Sequence, residues 1–261
     1  MNFNLPHIPN RTAVPRDSGL TMMMDKGLSW RQAENFVDSC SHLTDIVKLG
    51  FGTSYVSKDL QQKIDIYHNA GMKVYLGGTL FEAFIIRGMF DEYRDLLRKF
   101  KLTTVEVSDG SVELDHALKC KYITELSKEF TVLSEVGSKE EGILISPNKW
   151  INMMSAELEA GAWKVIAEAR ESGNVGIYRP NGTAHVALVN KITAKVNPES
   201  ILWEAPKKPQ QVWFIKQFGT NVNLGNIGYN EVIPLETLRI GLRGDTFHDF
   251  LPKDLAKKSI K

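Results

Sequence analysis

The segment Phe130-Thr131-Val132-Leu133-Ser134-Glu135-Val136-Gly137-Ser138-Lys139 is the stretch from which the fold of this chain follows. Its short run of β-branched and apolar residues predicts a buried parallel strand, and the run stops at an acid, a glycine and a lysine. Two further segments, Thr103–Gly110 and Trp163–Arg170, repeat this arrangement, in which an apolar strand carries a carboxylate to its C-terminal end. The recurrence predicts a ring of acids around the mouth of a barrel.

Strand-like and helix-like segments alternate along the chain. The strand pattern occurs at Leu20–Gly27, Asp45–Leu49, Lys73–Leu76, Thr103–Val107, Phe130–Val136, Trp163–Arg170, Ser200–Trp203 and Asn221–Leu224. Alternation predicts a parallel sheet, and eight units predict closure, because closure removes both sheet edges. An open doubly wound sheet is the alternative, but no GxGxxG follows the first strand. We therefore predict an α/β fold, a single (β/α)8 TIM barrel.

The length of the chain fits one such barrel. The 261 residues are close to the ~250 usual for this fold. Residues 1–17, which contain three prolines among polar residues, are expected to form an irregular N-terminal arm. We expect residues 18–250 to form the barrel and residues 251–261 to form a C-terminal tail.

Composition excludes several classes of partner. Hydrophobic residues make up 43% of the chain, charged residues 24%, and the net charge is +1. A nearly neutral chain without a basic stripe is not expected to bind nucleic acid. Neither a signal-peptide pattern nor a membrane-spanning apolar run is visible, so we expect a cytoplasmic protein that binds small molecules and no membrane. The sequence leaves the oligomeric state open, a homo-oligomer included.

Carboxylates dominate the predicted mouth of the barrel. Glu106, Glu135 and Glu168 come at the ends of three successive strands and are hard oxygen ligands of the kind that suits Mg²⁺. A metal would also offset the repulsion that otherwise raises the pKa of crowded acids. The alternative is a network of ion pairs in which bases such as Lys48 and Arg170 neutralise the acids.

Several cations are candidates for binding an anion. Lys139 lies in a loop, where it is either a solvated charge, the commoner case, or a general acid above the pocket. Lys207, Lys208 and the segment Arg239–Arg243 follow the last two strands, where barrel enzymes often bind phosphate. The histidines form no HxH or HExxH pattern, so zinc is not expected.

Taken together, many segments closely resemble the phosphosulfolactate synthase family. They are Arg16–Thr21, Asp25–Gly27, Val47–Ser54, Gly77–Glu82, Glu106–Ser111, Glu135–Gly137, Glu168–Gly173, Glu204–Pro206, Gln210–Gln211, Asn223–Asn226 and Leu238–Thr246. The resemblance extends from residue 16 to about residue 247, and its segments are ordered and correctly spaced.

The resemblance implies a (β/α)8 barrel that uses Mg²⁺ to add sulfite to phosphoenolpyruvate. Sulfite would attack C3 of the enol phosphate, Mg²⁺ would stabilise the resulting enediolate, and a lysine would protonate C2 to give (2R)-2-phospho-3-sulfolactate. The resemblance assigns that general acid to Lys139. Cations such as Lys48 and Arg170 would offset the repulsion among the carboxylate, phosphate and sulfite groups.

These considerations give a set of expected roles. Catalytic roles are expected for Lys139, Lys48, Asp25 and Arg170; substrate binding for Lys26, Asp109, Arg170, Asn223, Asn226, Arg239 and Arg243; and Mg²⁺ binding for Glu106, Glu135 and Glu168. Fold transfers between relatives more safely than reaction does. The alternatives are therefore a catalytically altered or inactive barrel that acts as a stress-related or interaction protein, and a Mg²⁺ enzyme acting on another enol phosphate or keto acid.

Overall fold

The computed structural model describes residues 3–137, 146–169 and 172–256. Within these residues, eight parallel strands form one nearly closed barrel, which confirms the predicted fold. The strands are β1 (Thr21–Asp25), β2 (Ile46–Leu49), β3 (Lys73–Leu76), β4 (Thr104–Val107), β5 (Thr131–Val136), β6 (Lys164–Ala167), β7 (Ile201–Glu204) and β8 (Leu224–Gly228). Hydrogen-bonded pairing runs in the order β3-β2-β1-β8-β7-β6-β5-β4, and β3 packs beside β4 at the seam.

Helices follow every strand in the described part of the chain. They are α1 (Trp30–Cys40), α2 (Thr53–Val56), α3 (Leu60–Asn69), α4 (Gly78–Ile85), α5 (Phe90–Lys99), α6 (His116–Ser127), α7 (Pro147–Glu159), α8 (Val186–Thr193), α9 (Lys208–Phe218) and α10 (Val232–Arg239). The first of them begins with a capping box: the Ser29 hydroxyl accepts from the Gln32 amide, and the Gln32 side chain accepts from the Ser29 amide.

Two short helices were not predicted from the sequence. Helix α2 begins directly after Gly52 and helix α4 directly after Gly77, in glycine-rich segments that follow β2 and β3. Glycine has a low helix propensity. In α4, packing of the apolar residues that follow outweighs this low propensity, since Phe81 is completely buried. The consequence for function is that the first turn of α4 reaches the mouth of the barrel.

The core has two layers. Side chains such as Met22, Tyr75, Leu133 and Leu202 point inward and fill the barrel, while a larger set packs between the strands and the surrounding helices. Filling the interior in this way makes the barrel a packed core, so ligands can bind only at its ends.

Strand β8 begins three residues later than the sequence predicts. The predicted strand starts at Asn221, but the observed strand starts at Leu224. Asn223 precedes the strand, where its side chain accepts from the Leu20 amide at 3.0 Å and donates to the Glu199 and Ile201 carbonyls at 2.9 and 3.1 Å. These bonds join the N-terminal ends of neighbouring strands, at the end of the barrel opposite to the mouth.

Candidate functional site

A cavity of about 430 Å³ opens at the C-terminal ends of the strands. Four carboxylates and one ammonium group supply the charges of its lining: Glu106, Glu135, Glu168, Glu204 and Lys48. All five residues are buried, since none exposes more than 5% of its surface. Such a concentration of buried charge costs free energy unless the charges are paired or bind a ligand.

Lys48 is the positive centre of this group. Its Nζ lies 2.9 Å from Glu106 Oε2 and 3.4 Å from both Glu135 Oε2 and Glu204 Oε1. Burial alone would lower the pKa of Lys48, but the carboxylates around it, Glu106 foremost, raise that pKa well above its usual value. Lys48 is therefore protonated and provides a fixed positive charge rather than a base.

Glu106 is engaged by the protein on both oxygens. Oε2 faces Lys48, and Oε1 accepts a hydrogen bond of 2.6 Å from the amide of Gly78, the first residue of α4. Only glycine fits at position 78, because a Cβ there would lie 2.5 Å from Glu106 Oε1 and closer still to the Ser108 hydroxyl. These contacts hold Glu106 against α4.

The other three carboxylates form the arrangement best suited to a metal ion. Among the described residues, Glu135, Glu168 and Glu204 each offer one oxygen, and these oxygens lie within 4.8 Å of one another. Burial foremost, and the neighbouring charge of Glu135, raise the pKa of Glu204 to about 7, while Lys48 lowers it. Three converging hard oxygens of this kind fit a divalent cation such as Mg²⁺.

This set differs by one residue from the set expected from the sequence. The expected set contained Glu106, which the structure instead ties to Lys48 and α4. Glu204 takes its place in the cluster. The signal for Glu204 was present in the sequence, because it follows an apolar strand in the same way as Glu135 and Glu168 do.

Asn226, an expected substrate-binding residue, lines the cavity. The pairing register between β1 and β8 shifts at this point, and Asn226 adopts a left-handed backbone with a φ of 55°. Bulges of this kind redirect side chains next to active sites. The side chain is almost fully buried, and its Oδ1 has no hydrogen-bond partner among the described residues, which leaves it available to a ligand.

Asp25, expected to be catalytic, is occupied by contacts within the protein. Its Oδ1 accepts from the amides of Gly27 and Leu28 at 2.7 Å each, and its Oδ2 lies 3.0 Å from Tyr67 Oη and from Lys63 Nζ. Asp25 is fully buried and lies outside the cavity lining. We therefore correct its assignment: it shapes the loop after β1.

Lys26 and Asp109, expected to bind substrate, also lie outside the lining of the cavity. Lys26 is exposed in the loop after β1. Asp109 lies 3.0 Å from Nζ of Lys119, a fully buried lysine that also lies 3.0 Å from Glu157 and donates to the Glu135 carbonyl at 2.6 Å. Through Lys119, Asp109 supports the end of β5 rather than facing the cavity.

Three expected substrate-binding residues, Asn223, Arg239 and Arg243, belong to the opposite end of the barrel. Arg239 donates to the carbonyls of Thr220 and Val222 at 2.7 Å and of Leu20 at 3.2 Å, which lie at or before the starts of β8 and β1. Arg243 follows the C-terminal end of the same helix, α10. Together with the position of Asn223, these placements correct the expectation that Asn223, Arg239 and Arg243 contact substrate at the mouth.

Two expected catalytic residues, Lys139 and Arg170, lie outside the described residues. Besides Glu204, five cavity residues were given no role by the sequence: Met24, Phe51, Gly78, Thr79 and Ser172. Their side chains carry no charge, and the sequence analysis selected site residues mainly by charge. It therefore did not identify them.

The sequence of this chain matches a known enzyme family along most of its length. A family model described as (2R)-phospho-3-sulfolactate synthase, ComA, matches residues 9–245. Over 244 residues the chain is 41% identical to the phosphosulfolactate synthase of Methanothermobacter thermautotrophicus, covering 91% of this chain and 95% of that protein. It is 38% identical over 249 residues to the phosphosulfolactate synthase of Bacillus subtilis, covering 94% of this chain and 98% of that protein.

Solved structures agree on the fold alone. The 3-hexulose-6-phosphate synthase of Salmonella typhimurium superposes with a TM-score of 0.56 at 13% identity, covering 86% of this chain and all of that protein. Among the described helices, none has the length and apolar character needed to cross a membrane. The extent of the sequence matches decides the assignment: this chain belongs to the (2R)-phospho-3-sulfolactate synthase family of enzymes.

Proposed function

We propose that this protein catalyses the Mg²⁺-dependent addition of sulfite to phosphoenolpyruvate, which forms (2R)-2-phospho-3-sulfolactate. The observation that carries the proposal is the family match across residues 9–245. A new bond joins the sulfite sulfur to C3, the π electrons of the enol move toward the carboxylate, and a proton is added at C2. No phosphate is released, so the reaction is an addition and not a hydrolysis.

The charges of the cavity support a role for its residues in this chemistry. Glu135, Glu168 and Glu204 are the proposed ligands of Mg²⁺, because their oxygens converge within 4.8 Å. The bound ion would supply positive charge where negative charge develops on the substrate carboxylate. Lys48, fixed by Glu106 at 2.9 Å, would add a second positive charge beside it.

Two other residues complete the proposal. Asn226 is proposed to contact the ligand, because its buried Oδ1 has no hydrogen-bond partner among the described residues and can accept a hydrogen bond from a protonated ligand group. Lys139, outside the described residues, is proposed as the proton donor to C2 on the resemblance to the family. Replacing that lysine, Lys139→Ala, should lower turnover by ~10²- to 10⁴-fold and weaken phosphoenolpyruvate binding far less. Unchanged turnover would remove it from the mechanism.

A direct assay tests the function. Purified protein is mixed with phosphoenolpyruvate, sulfite and Mg²⁺, and loss of the enol phosphate absorbance is followed with and without a chelator. Consumption that requires sulfite and stops with the chelator is the expected result. Binding of phosphoenolpyruvate without consumption would indicate another nucleophile. Absence of both would favour the alternative, a family barrel that acts through contacts with other proteins.

A further inference from the structure

Two large apolar side chains, Met24 and Phe51, share the cavity with its charged groups. They differ in exposure, since Met24 is buried and Phe51 exposes 49% of its surface. Phe51 belongs to the turn Gly50–Gly52 directly after β2, the strand that carries Lys48. Phe51 is therefore an apolar group at the rim of an otherwise polar cavity.

The backbone of Phe51 is held in an unfavourable conformation. Its φ is 32°, in the left-handed region that residues with a Cβ rarely adopt. A Cβ at Gly50 would lie 3.2 Å from Met24 Cγ, and a Cβ at Gly77 would lie 3.2 Å from the Phe51 amide nitrogen. The turn is thus packed closely between β1 and the start of α4. Strain of this kind, held in place by its surroundings, concentrates at ligand-binding sites.

Glycine would satisfy this backbone better than phenylalanine. Glycine adopts positive φ values without steric cost, and Gly52, next but one to Gly50, already does so with a φ of 74°. The turn therefore has no conformational need for an aromatic residue at position 51. The ring gains little from burial either, because half of it faces solvent. Neither backbone conformation nor burial therefore accounts for the aromatic side chain, whereas its position over the cavity does.

The chemistry of the cavity gives that position a use. Charge interactions strengthen when water is excluded. The acids and Lys48 are buried below the rim, and the residues that the structure describes leave the cavity open above them. The enol phosphate carries one apolar group, the CH₂ at C3, which a ring and a methionine can contact without losing a hydrogen bond.

We propose that Phe51 is a substrate-contacting residue that covers the bound enol phosphate, packs with Met24 against its methylene side and excludes water from the reacting carbon. This inference rests on the function proposed above, because it takes the enol phosphate as the ligand. Phe51 and Met24 would supply an apolar contact in a cavity whose other proposed ligand contacts are polar or charged.

The test separates the ring from the backbone. Phe51→Gly removes the ring and relieves the positive φ, so its melting temperature should stay at or above that of the wild type. Its kcat/KM for phosphoenolpyruvate should fall at least tenfold, whereas Phe51→Trp should stay within threefold of the wild type. Tyr55→Ala is the matched control, since Tyr55 is an aromatic residue in α2 that is 86% exposed and does not line this cavity. A kcat/KM within twofold of the wild type in Phe51→Gly would overturn the proposal.

A second readout is independent of turnover. The chain already contains five tryptophans, so iodide quenching of Phe51→Trp is measured as the difference from the wild type, and this difference should shrink when Mg²⁺ and phosphoenolpyruvate are added without sulfite. Unchanged quenching at ligand concentrations that calorimetry shows to be saturating would also overturn the proposal. If ligands reduce the quenching but the protein does not consume phosphoenolpyruvate with sulfite, the proposed reaction is refuted and the contact of residue 51 with the ligand is not. A wild type that neither binds nor consumes phosphoenolpyruvate would refute both.

Discussion

The two ends of the barrel use charge in opposite ways. At the N-terminal end, buried cations are matched by acceptors of the protein: Arg16 by Asp45 at 2.9 Å, and Lys164 by the carbonyls of Asp17 and Glu199 at 3.0 and 2.8 Å. At the C-terminal end, four carboxylates and one lysine of the described residues line a cavity. The first arrangement closes the bottom of the barrel, and in the second the described residues place more acids than bases around a cavity.

The difference separates stability from function. A buried charge with several partners holds the chain in place, while a cluster with excess charge of one sign is stable only with an added ion or proton. We therefore expect substitutions at the mouth to change activity more than stability, and substitutions at the bottom to do the reverse. Four predictions test this comparison.

The largest effect is expected for Glu204→Gln at the mouth. The variant loses one proposed Mg²⁺ ligand, and kcat/KM should fall by about 10³-fold while the Mg²⁺ concentration needed for half-maximal rate rises. The melting temperature should not fall, because one of four crowded acids is neutralised. Glu125→Gln, on the exposed face of α6, is the control and should behave as the wild type. Wild-type metal dependence in Glu204→Gln would disprove its role as a ligand.

The second prediction concerns the pH dependence of stability in metal-free protein. The pKa of Glu204 is about 7 in the folded state, above its ordinary value of 4.5, so the folded protein binds the proton more tightly than the unfolded chain does. Its contribution to stability is complete below pH 4.5 and is lost as the pH rises to about 7. The loss is about 3 kcal/mol, at 1.4 kcal/mol for each unit of pKa shift.

Chemical denaturation at several pH values measures this slope. Glu204→Gln should remove it, because glutamine does not titrate in this range. Saturating Mg²⁺ should also reduce it, because the ion competes with the proton. An identical slope in the wild type and the variant would show that another group is responsible.

The third prediction addresses the bottom of the barrel. Arg239→Met removes the donor to three backbone carbonyls and should lower the free energy of unfolding by about 2 kcal/mol. The effect is not larger because burial already lowers the pKa of Arg239 well below its usual value, so the charge itself is disfavoured there. The kcat of the folded fraction should match the wild type. Arg98→Met, which changes a half-exposed arginine on α5, serves as the control.

The smallest effect is expected for Arg243→Ala. Because Arg243 follows the end of α10 that faces away from the mouth, kcat/KM for phosphoenolpyruvate should remain within twofold of the wild type. A tenfold or larger rise in KM would restore the anion-binding role expected from the sequence, and it would show that the comparison between the two ends is incomplete.

Much of this architecture could be predicted from the sequence. Apolar strands with a carboxylate at the C-terminal end, such as those ending near Glu106 and Glu135, are local patterns, and their repetition is enough to predict the barrel and its acidic mouth. Local sequence patterns gave wrong positions for residues whose placement depends on contacts with distant parts of the chain. The apolar and polar alternation around Asn223 predicts that it lies in β8 and near the mouth. In the structure its side chain bonds to the Leu20 amide and the Glu199 carbonyl, and β8 begins after it.

The assignment of roles to charged residues shows the same limit. The sequence indicates which residues are acidic, but not which acids share a base. Lys48 binds Glu106 most closely, which joins β2 to β4, and the carboxylates that converge are instead those of Glu135, Glu168 and Glu204. Asp25 looked catalytic because it ends a strand, yet Lys63 and Tyr67 on α3 occupy it. Partners distant in sequence decide whether an acid at a strand end is structural or free for chemistry.

The measurement that tests the central claim most directly is phosphorus NMR of the wild-type protein with phosphoenolpyruvate, sulfite and Mg²⁺. The account predicts that the enol phosphate signal is replaced by the signal of an alkyl phosphate ester, that the change requires sulfite, and that no inorganic phosphate appears. Release of inorganic phosphate, or an enol phosphate signal that persists when sulfite is present, would contradict it.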